Sequence, residues 1–94
     1  MMCGAFGHAN EANEEVQNII NQVRGEVEGQ AGDLGEYRAV SYRSQVVAGM
    51  NYLVKVHLSG NHYCHVKVYV PLPYTGNPPS LSELETGKSL DDSL

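Results

Sequence analysis

Val16, Ile19, Ile20, Val23 and Val27 recur at intervals of three or four residues, while their neighbours are polar. That period puts five branched apolar side chains on one side of a helix. Asn10 or Asn13 can cap its start, and Glu11, Glu14 and Glu15 suit the positive end of the helix dipole. Arg24 and Glu28 add an i,i+4 pair, and Gly29 is a natural stop. The spacing predicts one long helix over 12–28, with Gly25 weakening it by about 1 kcal/mol relative to Ala.

After the loop "GQAGDLGE" at 29–36 the period changes to two. A first strand is expected over 37–47. Met50, Tyr52, Val54, Val56 and Leu58 then alternate with Asn51, Lys55 and His57. Cys64, Val66, Val68 and Val70 alternate with Tyr63, His65, Lys67 and Tyr69. Each run is a strand with one buried face. Directly opposed residues share a face, so the apolar rows fix the register. A three-residue loop at 59–61 sets Val56 against Cys64 and Val54 against Val66. A three-residue loop at 47–49 sets Val46 against Met50, Tyr42 against Val54 and Val40 against Val56. Gly49 then takes the left-handed position that such a loop needs. A bulge in the first strand would shift these pairs.

"PLPYTGNPPS", 71–80, cannot continue a central strand, because proline removes ladder donors. A short last strand follows over 81–86. Residues 1–9 form a flexible amino-terminal trunk and 87–94 a polar carboxyl-terminal tail. The helix stripe and the apolar sheet face can only cover each other. The expected fold class is α+β, one long helix on an antiparallel meander, in a single domain over 1–94.

Charge narrows the partners. Eleven acidic residues against six scattered basic ones give a net charge of −5. Nucleic acid and anionic membrane surfaces are therefore excluded as expected partners. No apolar run reaches the length of a membrane span, and the start "MMCGAFGHAN" lacks the features of a secretory signal. Two cysteines, Cys3 and Cys64, make no disulfide scaffold, so a cytoplasmic protein with free thiols is expected.

Three features resemble chemistry without supporting it. His62 and His65 are three apart on a strand and point to opposite faces, so they cannot grip one metal, and the histidines read as surface residues. Cys64 lies on the apolar face, where a thiol is inert filler. The six tyrosines fall on both faces and form no stacking platform. No enzyme, metal or cofactor is expected.

One asymmetry remains. In the meander the loops at 47–49 and 71–80 fall at the same end of the sheet. That end holds Val46, Val47, Ala48 and Gly49 beside Pro71, Leu72, Pro73 and Tyr74, while the opposite end holds Ser59, Gly60 and Asn61. An apolar end invites a partner.

Gln45-Val46-Val47-Ala48-Gly49 resembles the QxVxG loop of the cystatins. Gly4, a helix, that loop and a later Leu72-Pro73 turn occur in the cystatin order. "MMCG" and "AVSYRSQVVAGMNYLVKVH" resemble the stefins, the type 1 branch. The resemblance implies a sheet wrapped around the helix and reversible, non-covalent inhibition of papain-like cysteine proteases such as cathepsins B, H, L and S. It implies that Gly4, Gln45 to Gly49, Leu72, Pro73 and Tyr74 fill the protease cleft. Tyr74 stands where stefins commonly carry His, and "DDSL" lacks their aromatic ending. The expected state is a monomer, with a domain-swapped dimer as its alternative. The rival reading is a non-inhibitory binding module on the same fold.

Overall fold

The computed structural model describes residues 6–94, so the expectations placed on Cys3 and Gly4 lie outside the described residues. The elements run β1 (Asn10–Glu11), α1 (Glu14–Gln22), α2 (Arg24–Ala31), β2 (Arg38–Val47), β3 (Gly49–Ser59), β4 (His62–Val70) and β5 (Ser80–Lys88). The five strands make one antiparallel sheet in the order β1-β2-β3-β4-β5. The helices cover one face of it.

Asn13 caps α1 by accepting the Val16 N–H at 2.9 Å. The expected helical face is correct, since Val16, Ile19, Ile20, Val23 and Val27 are all buried. The single long helix is not. It divides at Val23, where the backbone leaves helical geometry (φ −104°, ψ 7°). Val23 and Gly25 are both poor helix formers, so little propensity resists a break there. Tertiary contacts stabilise it: the Ile20 carbonyl accepts both Val23 N–H at 3.2 Å and the buried Tyr37 hydroxyl at 2.7 Å. Gln17 ties the helix to the sheet, donating to the Tyr37 carbonyl at 3.1 Å and accepting the Ala39 N–H at 2.8 Å.

Most pairs along the sheet have the expected parity. Val46 faces Met50, Tyr42 faces Val54, Val54 faces Val66 and Val56 faces Cys64. Two bulges modify it. Val56 faces Ala39 instead of Val40, because the register shifts between Ala39 and Ser41. The second hairpin closes with Ser59 opposite His62, and a bulge at Leu58 restores the parity that a three-residue loop was expected to supply. The bulged backbone is used elsewhere: the Val40 carbonyl accepts Ala12 N–H at 3.1 Å, and the Leu58 carbonyl accepts Glu36 N–H at 2.9 Å.

The outer face of the sheet departs most from the expectation. Lys55 and His65 alternate with core residues, a pattern that predicts a solvent-facing side chain at both positions. They are only 6% and 3% exposed. The segment after β5 crosses this face, and Lys55 Nζ donates to the main-chain oxygens of Leu90 and Asp92. His65 is therefore a buried histidine, and its Nε2 has no hydrogen-bond partner among the described residues. Burial first, then the Lys55 and Lys88 cations, hold its pKa below the usual 6.5, while Glu85 and Asp92 act the other way.

A pH dependence follows. The folded chain favours neutral His65, so the unfolded chain binds more protons as pH falls through 6.5, and stability is lost there. His57 has the opposite sign. Contacts with the Gly60 carbonyl and the Glu36 carboxylate raise its pKa, so its contribution is present below 6.5 and lost as pH rises through the folded value. Urea denaturation of wild type and His65→Gln at pH 7 and pH 5 separates the two. On acidification wild type should lose stability relative to the variant. A difference that stays constant between the two pH values would contradict the burial assigned to His65.

Candidate functional site

The β2–β3 turn is pinched. Val46 pairs with Met50 and Val47 with Gly49, which leaves Ala48 alone at the tip. Gly49 has φ +114°, a conformation that side chains rarely adopt. A Cβ built there would meet the Val70 carbonyl oxygen at 2.5 Å and the Tyr69 hydroxyl at 3.1 Å. Glycine is thus required twice, by its dihedral and by the close approach of β4. Tyr69 reaches across from β4 and donates its hydroxyl to the Ala48 carbonyl. Asn51 donates its amide to the Gln45 side-chain oxygen at 3.0 Å. Neighbouring strands thus hold the tip, while Val46 remains 66% exposed.

The second loop is shaped by proline and threonine. Met50 opposite Val70 brings the end of β4 beside the first turn. Leu72 is extended, and Pro73–Thr75 forms one 3₁₀ turn closed by Gly76 at φ +70°. The Leu72 carbonyl accepts Thr75 N–H at 3.0 Å and Thr75 Oγ1–H at 2.9 Å. Tyr74 projects from this turn and is 84% exposed.

The two loops share one apolar recess of about 330 Å³, lined on one side by Val46, Val47 and Gly49 and on the other by Pro71, Leu72 and Pro73. The structure therefore brings together Val46, Val47, Gly49, Leu72 and Pro73. Ala48, exposed at the tip of the turn, does not line the recess, Gln45 lies on the outer sheet face beside Asn51, and Tyr74 stands away from the recess. The sequence reading missed the residues that support the loops. Tyr69 and Thr75 looked like ordinary strand and loop residues. Parity does put Tyr69 opposite Asn51, on the face that reaches the turn.

The recess holds no chemistry for bond making. Among the described residues no three His, Cys, Asp or Glu side chains group in a way that could hold a metal ion. The Cys64 thiol is fully buried in the core, and burial pushes its pKa up to about 11. What remains is apolar area, worth roughly 25 cal/mol per Å² when a partner covers it.

The helices thus lie on one face of an antiparallel sheet, and two apolar loops stand side by side at one end of it. A cystatin domain signature covers residues 4–88 of the chain. The chain is 43% identical to Cystatin-A1 of Sus scrofa, over 100% of its length and 92% of that protein. It is 40% identical to Cystatin-B of Homo sapiens, over 100% of its length and 97% of that protein. It is 39% identical to Leukocyte cysteine proteinase inhibitor 1 of Sus scrofa, over 100% of its length and 92% of that protein. The chain belongs to the cystatin family.

Proposed function

We propose that this chain is a reversible, tight-binding inhibitor of papain-like cysteine proteases, with cathepsins B, H, L and S as targets. Cystatins are protease inhibitors and not enzymes. The observation that carries the mechanism is the shared apolar recess at one end of the sheet. The exposed Val46, the pinched Val47-Ala48-Gly49 turn and Leu72-Pro73 fit a cleft as a preformed wedge. Preformed loops lose little entropy on binding. No catalytic group is needed, because the wedge occupies the cleft without offering a peptide bond for attack. Gln45 and Tyr74 flank the wedge, and Gly4 is assigned to the cleft's far side, where the lack of a side chain avoids a clash. The buried, unpaired Cys64 thiol suits a reducing compartment, and the cytoplasm is the proposed location.

The deciding experiment is a titration of papain with the pure chain. Residual peptidase activity should fall linearly to zero at one equivalent, return after dilution and long incubation, and leave the chain uncut. Papain fully active at equimolar chain would sink the proposal. Gly4→Arg tests the amino-terminal part. It should weaken binding by at least about 2 kcal/mol, mainly through faster dissociation, as loss of a hot-spot residue does. An unchanged dissociation rate would remove Gly4 from the site.

A further inference from the structure

Arg43 lies on the outer face of β2, where its row across the sheet continues with Leu53 and Lys67. Its guanidinium reaches two segments far apart in sequence. Nε–H donates to the Gly7 carbonyl at 2.7 Å, and Nη2 donates to the Phe6 carbonyl at 3.3 Å. Nη1 donates to the main-chain oxygen of Leu94 at 2.9 Å. Gly7 N–H donates in turn to the Ser44 carbonyl at 2.9 Å, directly before Gln45. The Phe6 ring lies 5.7 Å from Lys67 Nζ, a cation–π contact from the same row. Leu94 is held in place upstream, because Lys55 fixes Leu90 and Asp92.

We propose that Arg43 is a positioning residue for protease binding. It clamps Phe6 and Gly7 to the end of β2, immediately beside the 45–49 loop, and it makes that clamp depend on the segment that crosses the outer face. The proposal rests on the inhibitor reading above. Arg suits the task for a geometric reason. Its rigid planar fork carries five donors and can serve three oxygens at once, whereas a lysine ammonium is a single point on a flexible stem. A charged donor also strengthens each bond. Held this way, Phe6 and Gly7 meet the protease already ordered, and the ordering entropy is not charged to binding.

The test is a double-mutant cycle on dissociation from papain, using wild type, Arg43→Ala, a chain lacking residues 1–7, and the two changes combined. Arg43→Ala should speed dissociation about tenfold in the full chain. In the shortened chain the same change should have less than about a twofold effect, since the clamped carbonyls are gone. Equal effects in both backgrounds would mean a general structural role and overturn the proposal, as would no effect in the full chain. If Arg43→Ala does not fold, Arg43→Lys carries the same comparison, with the same reading of each outcome. Hydrogen exchange at the Gly7 amide, measured without any protease, keeps the two ideas apart. Protection should fall in the Arg43 variant, and unchanged protection overturns the clamp. A wild type that leaves papain active while Gly7 protection depends on Arg43 refutes the inhibitor reading alone.

Discussion

Gly49→Ala should cost the chain about 2–4 kcal/mol of stability and most of its affinity for papain. Two penalties combine at this position. A non-glycine residue at φ +114° is strained, and its Cβ would sit 2.5 Å from the Val70 carbonyl oxygen, closer than real contacts allow. The clash is with backbone, so no rotamer change relieves it. Relief requires β3 and β4 to separate at the mouth of the recess, which also pulls Tyr69 from the Ala48 carbonyl. Gly76→Ala is the matched control. It has φ +70° with nothing within 4 Å of the built Cβ, so it carries dihedral strain alone. Urea denaturation of both variants, followed by papain titration, reads the difference. Equal losses for the two would mean that the close approach of β4 is not felt. Full affinity in Gly49→Ala would detach the loop's shape from binding.

A dimer formed by warming or mild acid should have no inhibitory activity at all. Opening the β2–β3 turn at 47–49 would join the two strands into one, and β1, the helices and β2 could then pack on a second chain's β3–β5. Every core contact is recovered in such an exchange, which is what permits swapping. Backbone strain in Val47 and Ala48 is not the motive, because among the described residues only glycines have positive φ. The prediction therefore rests on the recovered contacts and on the short turn, with Ala48 alone at its tip. Gel filtration under reducing conditions isolates the dimer and excludes a Cys3 link. The exchanged chain has no turn at 47–49, so it cannot form the recess and should leave papain active. A reduced dimer with full activity per chain would contradict 47–49 as the hinge.

Periodicity was enough for the core and for most of the register. Branched residues at helical spacing bury Val16 to Val27, and alternation puts Val54, Val56, Cys64, Val66 and Val68 against them. These follow from sequence because both periods are local geometry and a single buried face leaves one parity acceptable. The apolar character of both loops was equally legible, as was their place at one end, which antiparallel connectivity dictates. The break at Val23 was not legible. It is stabilised by the Tyr37 hydroxyl, which donates to the Ile20 carbonyl from 17 residues further along the chain. A bulge in the first strand was foreseen, but not its place at Val40, and the bulge at Leu58 was not foreseen; their carbonyls are satisfied by Ala12 and Glu36. The buried Lys55 and His65 defeated the alternation rule for the same reason. Alternation says which face a side chain takes, but only the folded path of residues 89–94 decides whether that face meets water. Arg43 is the clearest case, an ordinary polar strand position by pattern. Its three acceptors, on Phe6, Gly7 and Leu94, come together only when both ends of the chain reach the same row of the sheet.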